Sequence, residues 1–433
     1  MNRRYFFQSA AAGFGATFGA APNDRIRIAI VGVRGRGRAL AGGFARLPEV
    51  DIAYFAEVDA NVVKPALDAV AKAGRKPPAV VADMRRAFDD PNVDAVVIAT
   101  PDHWHAPAAI LACLAGKDVY LEKPCSHNIQ EGRLLVETAR RSGRIIQHGT
   151  QGRSREITRQ AIAYVHSGKL GKVLMAKAWN VQLRRDIGRK PDSAPPEGLD
   201  YDAWVGPAPW LPFNENRFHY NWHWHWNFGT GDIGNDGAHQ IDMARWALQV
   251  DYPLEAAGMA GKIFFQDDQQ TPDTMTIAYR YPGGKMLLFE MRIWNPYAME
   301  GIENGVAVYG SEGMIHIGKW DRQWGYKVFD RRGKEAVFEQ SAGEDEGHLK
   351  NFVECLKTRR KPNADIETGH VSVVHCHLGN IIARTGRSVR FDAATETIPG
   401  DAEAAKLTGR QYRKHWGTPP GVSIAGVAER KAD

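Results

Sequence analysis

The chain has 433 residues, is 43% apolar and 24% charged, and carries a net charge of +6. That length exceeds one small core and implies roughly two or three domains of about 100–200 residues. The basic residues form no stripe interleaved with aromatics, which argues against a nucleic-acid partner. The four cysteines, Cys113, Cys125, Cys355 and Cys376, sit at neither metal nor redox spacing, so they read as small buried residues and no metal site is expected.

Residues 1–21 hold Arg3 and Arg4, then "YFFQ" and the weakly apolar "SAAAGFGATFGAA". This resembles a twin-arginine signal peptide, which implies export of a folded protein to the periplasm. The apolar run is shorter than the about 20 residues that span a bilayer, and no membrane span is expected elsewhere. The expected division is a signal at 1–21, a dinucleotide-binding domain at 25–150 and a C-terminal domain at 151–433, with a helical wrap and tail from 366.

"IRIAIVG" at 26–32 is a continuous Ile/Val run, the pattern of a strand buried on both faces. It leads into "GVRGRG" and an Ala/Leu-rich helical stretch, the setting of a phosphate-binding glycine turn. Gly32 and Gly37 fit the first and third positions of G-x-G-x-x-G, Arg34 takes the second, and Gly35 comes one residue late. The next strand ends in Glu57, an acidic residue placed to accept hydrogen bonds from a ribose. A carboxylate there repels a 2′-phosphate, so NAD is favoured over NADP. Arg34 and Arg36 are the counter-argument, as phosphate partners or as solvent-facing charges. Strands are expected at 94–100, 118–123 and 144–150, with helices at 107–115 and 130–141. Alternating strand and helix predict an α/β, doubly wound parallel sheet. Ligands of such sheets lie beyond the carboxyl ends of the strands, where Thr100, Pro101, Trp104, His105, Glu122 and Lys123 fall.

"ATPDHWH" followed by "GKDVYLEKPCSHNIQEG" resembles the signature of the Gfo/Idh/MocA oxidoreductase family, and the likeness covers nearly the whole chain after the signal. The resemblance implies a Rossmann domain, a C-terminal α/β domain with a large open sheet, and NAD(P)-linked chemistry on sugars or polyols. It places Lys123 at the nicotinamide, touching the reacting hydroxyl, with a cis bond before Pro124. It also implies a homo-oligomer, a dimer or tetramer, joined through the open sheet face.

The second half shows longer strands at 172–183, 274–281 and 285–294, the last two flanking the turn signal "PGG". A mostly antiparallel sheet is expected from them. Residues 192–227 lack periodicity yet hold five of the twelve tryptophans. Tyr220, Trp222, His223 and Trp224 read either as a strand with one buried face or as a sugar-stacking platform. His223 and His225 as metal ligands form a third reading. A helix is expected from near Asn235, with Ile241, Ala244 and Trp246 facing inward.

The resemblance implies a D-x-G-x-H catalytic motif, whose G-x-H part is Gly237-Ala238-His239. Asn235 stands one helical turn before His239 where the aspartate belongs, and Asp236 is one residue late. Removal of a hydride from a carbinol carbon also requires loss of the hydroxyl proton. Lys123 would stabilise the developing alkoxide and His239 would take the proton. His377 and Asn380, on an amphipathic helix at 366–387, are further candidates, and another helix is expected at 400–416.

The leading expectation is a sugar or glycoside oxidoreductase with tightly bound, self-recycled NAD, since an exported enzyme has no cytoplasmic pool to reoxidise NADH. The second is a redox-neutral NAD-dependent glycosidase or lyase working through a transient 3-keto sugar. The third is a noncatalytic sugar-binding protein that retains the fold.

Overall fold

The computed structural model describes residues 25–341 and 346–413. The expected signal and the chain beyond 413 lie outside them.

Six strands form the first sheet: β1 (Ile26–Val31), β2 (Val50–Ala56), β3 (Ala79–Val81), β4 (Ala95–Ile98), β5 (Asp118–Leu121) and β6 (Ile146–His148). Their order is β3-β2-β1-β4-β5-β6 and every pair is parallel. This is the doubly wound order, with its switch point between β1 and β4. The unbroken apolar run of β1 serves both faces: Ile28 and Ile30 enter one helical layer, Ala29 and Val31 the other. β3 is too short and too exposed to stand out in sequence. The helix Ile129–Ser142 begins at Asn128, whose side chain accepts from the Glu131 N–H, and ends at left-handed Gly143. The helix expected from 107 starts earlier, as Asp102–Leu114, with Pro107 inside it.

The second sheet has nine strands: β7 (Val173–Val181), β8 (Glu255–Gly261), β9 (Thr274–Arg280), β10 (Met286–Arg292), β11 (Asn304–Gly310), β12 (Gly313–Trp320), β13 (Gln323–Asp330), β14 (Glu335–Ser341) and β15 (Val389–Arg390). Their order is β14-β13-β12-β11-β7-β10-β9-β8-β15. Of the strand pairs, β7–β10 is parallel and the other registered pairs are antiparallel. The "PGG" turn joins β9 to β10, with Gly283 and Gly284 at φ 75° and 80°, which side-chain-bearing residues rarely adopt. Along β10, Leu287, Phe289 and Met291 are buried while Met286 is exposed and Glu290 half-buried, the alternation of a sheet covered on one side.

Two C-terminal helices cross the sequence division at 150. Glu346–Thr358 sends Leu349, Phe352 and Val353 into the Rossmann core beside Phe44 and Tyr120. Ile366–Thr385 places Val373 in the Rossmann layer and Val374, Leu378 and Ile381 against the large sheet. The two sheets are thereby held at a shared apolar seam.

Two expectations are corrected. Of the helix expected at 400–416, the described residues, which end at 413, form Ala402–Lys406. Beyond it Tyr412 donates to Glu131 (2.7 Å) and Arg410 to the Asn227 carbonyl (3.0 Å), so side chains rather than helical bonds hold this strap. Ile241 and Ala244 are buried as expected, but Trp246 is half-buried beneath the Arg153 guanidinium at 4.9 Å. No helix of the described residues is long and apolar enough to cross a membrane.

The core contains many neutral histidines. His375 donates from Nδ1 to the Val371 carbonyl (2.8 Å) and accepts from the Tyr281 hydroxyl at Nε2 (2.8 Å). Burial pushes His103, His148, His375 and His377 down to about 3. Each folded value lies below the unfolded one of about 6.5, so their contribution is complete above that pH and is lost as pH falls toward 3. Thermal unfolding is expected to be steady near neutrality and to weaken steeply below about pH 6, by up to about 1.4 kcal/mol per pH unit for each histidine. Melting followed by circular dichroism across that range checks this; a flat profile down to about pH 4 contradicts it.

Candidate active site

The site forms where the carboxyl ends of the parallel strands face the second sheet. β1 runs into Gly32 at φ 77°, and a Cβ there would meet the Ala99 carbonyl oxygen at 2.9 Å. Gly37, in the first turn of the helix Gly35–Ala45, approaches so closely that a Cβ would lie 1.8 Å from the Gly32 oxygen. Gly37 therefore packs helix on strand and does not line the cleft. Arg34 and Gly35 do, with no atom within 4 Å of a Cβ added at 35. A side chain at 35 would therefore project into open space rather than into packed backbone.

Glu57 stands at the end of β2. Its carboxylate accepts from the backbone N–H groups of Val33 (2.8 Å), Val58 (2.9 Å) and Asp59 (3.0 Å). Burial pushes its pKa up, and those three donors oppose the rise. Arg36 turns away from any phosphate role of its Nε, which donates to Glu122 at 2.7 Å. Burial opposes ionisation of Glu122, but Arg36 and then Lys123 outweigh it and hold the carboxyl at about 2. The glycine turn is thus tied to the E-K-P segment by a charged pair.

The Lys123–Pro124 bond is cis. His105 reaches the Pro124 carbonyl with Nδ1 (2.6 Å) and the Thr100 carbonyl with Nε2 (2.8 Å), bracing the two loops. Lys123 Nζ donates to Asn235 Oδ1 at 2.8 Å, joining the two halves of the molecule. Asn235 in turn donates to Asp232 (3.0 Å), which accepts from Asn180 (2.5 Å) and Arg184 (3.1 Å) in full burial.

Asn235 faces the lysine because the helix is not regular there. Residues Ile233–Gly237 form a π-helical turn that leads into Ala238–Leu248. A π turn accommodates one extra residue and is frequent at functional sites. Asn235 and His239 both line the cleft, whereas Asp236 turns toward the large sheet, accepting from Arg184 (2.7 Å) and Gln182. Of the two candidates for the missing aspartate, Asn235 is the one that meets Lys123. Burial, then the charge of Lys123, pushes His239 down to about 4, leaving a neutral imidazole near pH 7.

The aromatic segment divides in two. Tyr201, Trp204, Phe213, Phe218 and Phe228 form a small core of their own. Tyr220, Trp222 and His223 line the cleft, with the Trp222 and His223 rings stacked at 3.6 Å. The alternating residues do not form a strand but a 3-10 turn, His219–Trp224. Trp224 is corrected: at 2% exposure it packs into the core of the large sheet rather than the cleft. His223 bonds the Tyr220 carbonyl (2.6 Å) and lines the cleft, whereas His225 does not line it. Trp104 lines the cleft edge, its indole donating to the Ala203 carbonyl (3.1 Å). His377 and Asn380 brace Ser126 (3.2 Å) and the Thr230 carbonyl (2.7 Å) outside the cleft. Gln151, Asp59, His219, Asp102, Asp232 and Arg184 belong to the site or its support and were not singled out by sequence. Asp232 lies in the glycine-rich "GTGDIGND" at 229–236, where a lone acid shows no partner until Arg184 and Asn180 are brought beside it.

The cleft encloses about 490 Å³ and runs from Glu57 to Lys123 and His239. Its features fit NAD: a glycine cradle that a Cβ would fill, an acid at the ribose position, and a buried Thr100 hydroxyl with no partner in the protein.

The chain is 32% identical over 181 residues to glycosyl hydrolase family 109 protein 2 of Shewanella sp. (strain ANA-3), covering 39% of each. It is 28% identical over 166 residues to levoglucosan dehydrogenase of Pseudarthrobacter phenanthrenivorans, covering 38% of this chain and 36% of that protein. The chain thus spans about two fifths of the length of the curated relatives it matches. Among solved structures, the aldose-aldose oxidoreductase from Caulobacter crescentus, complexed with glycerol, superimposes with a TM-score of 0.64 at 18% identity, covering 85% of this chain and 100% of that one. The WlbA dehydrogenase from Bordetella pertussis, in complex with NADH and UDP-GlcNAcA, gives 0.63 at 18%, covering 85% and 99%; at such identity both speak for the fold alone. Residues 26–150 match the oxidoreductase family's NAD-binding Rossmann fold and residues 176–418 its C-terminal alpha/beta domain, so the chain belongs to the Gfo/Idh/MocA oxidoreductase family.

Proposed function

We propose that the protein is an NAD-dependent oxidoreductase that takes hydride from a secondary hydroxyl carbon of a sugar or glycoside. The observation that carries this reading is the meeting of Lys123 with Asn235 across the two halves of the molecule, at 2.8 Å, beside a neutral His239 in one cleft. Bound NAD supplies the hydride acceptor. Lys123 donates to the substrate oxygen and stabilises negative charge as it develops there. His239, unprotonated at neutral pH, accepts the hydroxyl proton, so the C–H hydride and the O–H proton leave by separate routes. Asn235, fixed by Asp232, orients the ammonium. Tyr220 and Trp222 present ring surface on which a sugar stacks. The noncatalytic sugar-binding reading leaves the paired ammonium and neutral imidazole without a role.

A redox-neutral glycosidase is kept as a second reading because the relatives named for glycosyl hydrolase family 109 match at 32% identity. Retained NAD, export by the twin-arginine route and homo-oligomerisation through the open sheet face belong to the same proposal. Incubation of the purified protein with aryl and alkyl glycosides decides between the two chemistries. The first expects a keto-sugar and, in the single turnover that retained NAD permits, nicotinamide absorbance near 340 nm rising by roughly one reduced cofactor per product. Released aglycone without net reduction selects the second, and neither product removes both.

A further inference from the structure

A second cavity, of about 690 Å³, opens on the other side of His239. His239 and Gln151 belong to the walls of both spaces, so the imidazole stands between them. The far wall is the rim of the large sheet. Lys319 on β12 pairs in register with Trp324 on β13, and Asn304 on β11 lies one residue beyond the Gly305–Gly318 pair, which brings the three into one row.

Two observations mark this space as a ligand site. Gln240, next to His239 and 4% exposed, lines the cavity with an Oε1 that has no partner. Asn304 Oδ1 is likewise a buried oxygen without a donor. Buried acceptors are normally satisfied, and these two call for hydroxyl or amide donors from a ligand.

The charges on the wall point one way. Asp236 is taken up by Arg184 and Gln182. Asp242 is taken up by Arg153 (2.8 and 2.9 Å) and Ser372 (2.7 Å). Glu303 is the remaining carboxylate of the lining, against three cations, Lys319, Arg322 and Arg155. Arg155 and Lys319 lie over the Trp324 ring at 4.1 and 5.2 Å. Among the described residues no ion pair engages Lys319 or Arg322.

We propose that this cavity holds a negatively charged sugar unit, its hydroxyls donating to Gln240 and Asn304 and its anionic group held by Lys319 and Arg322. The assignment rests on the oxidoreductase reading for its chemistry, since His239 joins the cavity to the Lys123 cleft. A uronic carboxylate and a sulfate ester share the required property, and separate probes distinguish them.

The test uses the full protein with NAD and three probes: methyl glucoside, methyl glucuronide, and methyl glucoside sulfated at its primary hydroxyl. Calorimetry reads binding and nicotinamide absorbance reads turnover. At least one charged probe is expected to bind about tenfold more tightly than the neutral one, with a gap that narrows as salt is added. K319Q/R322Q, at two exposed positions, should erase that gap and leave the neutral probe within about twofold. Equal binding of charged and neutral probes, no binding of either charged probe, or a gap that survives the double substitution overturns the proposal. Oxidation indifferent to charge overturns this site and keeps the oxidoreductase reading. Charge-selective binding that vanishes in the double variant, with no hydride transfer from any probe, keeps the site and overturns that reading.

Discussion

Lys123→Met is expected to lower kcat/KM by about 10²–10³ while leaving NAD binding nearly unchanged. Methionine retains the length of the stem and removes only the ammonium, so the packing against Pro124 and Asn235 changes little. The loss should fall mainly on kcat, because charge on the substrate oxygen develops in the transition state rather than in the bound ground state. Glu57 is held by the Val33, Val58 and Asp59 N–H groups, none of which the substitution touches. Steady-state kinetics with dinucleotide binding measured by fluorescence provides the check. A variant that works within a few-fold of wild type removes the proposed mechanism; one that also loses NAD points to a structural role for the ammonium instead.

Gly37→Ala is expected to destabilise the fold by about 3 kcal/mol or more and to abolish dinucleotide binding. The added methyl would lie 1.8 Å from the Gly32 carbonyl oxygen, and Gly32 is itself pressed against Ala99. Neither backbone has room to yield, so the helix Gly35–Ala45 must lift from the sheet. Gly35→Ala, two residues away, meets nothing within 4 Å and should be tolerated. Denaturant unfolding of the two variants side by side tests the contrast. Equal stability of both would show that close helix–strand contact is not what position 37 provides.

These expectations also show where sequence was informative. The unbroken apolar run of β1, the glycine turn and Glu57 are local signals, and each occupies its expected place. Lys123 and His239 stand over a hundred positions apart in the chain, yet each sits in a short pattern that resemblance could place. Asp232 and Arg184 had no such pattern; their importance lies in a contact between a helix and the far end of β7. Trp224 misled because the rings of residues 219–224 point by the phase of a 3-10 turn, which alternation along the chain does not reveal. The helix Glu346–Thr358 could not be assigned to the Rossmann core from its own amphipathic pattern, which shows that one face is buried but not against what.

The wide turn at Ile233–Gly237 alters how this chain must be compared with others. One additional residue rotates the backbone before the turn by about 100° relative to the helix after it. Counting four residues back from His239 reaches Asn235, whose amide meets the Lys123 ammonium, while the neighbouring acid Asp236 is carried round to Arg184 and Gln182. Any effort to restore a carboxylate beside the ammonium has to change position 235, and transplanting the segment into a regular helix would move that side chain out of reach.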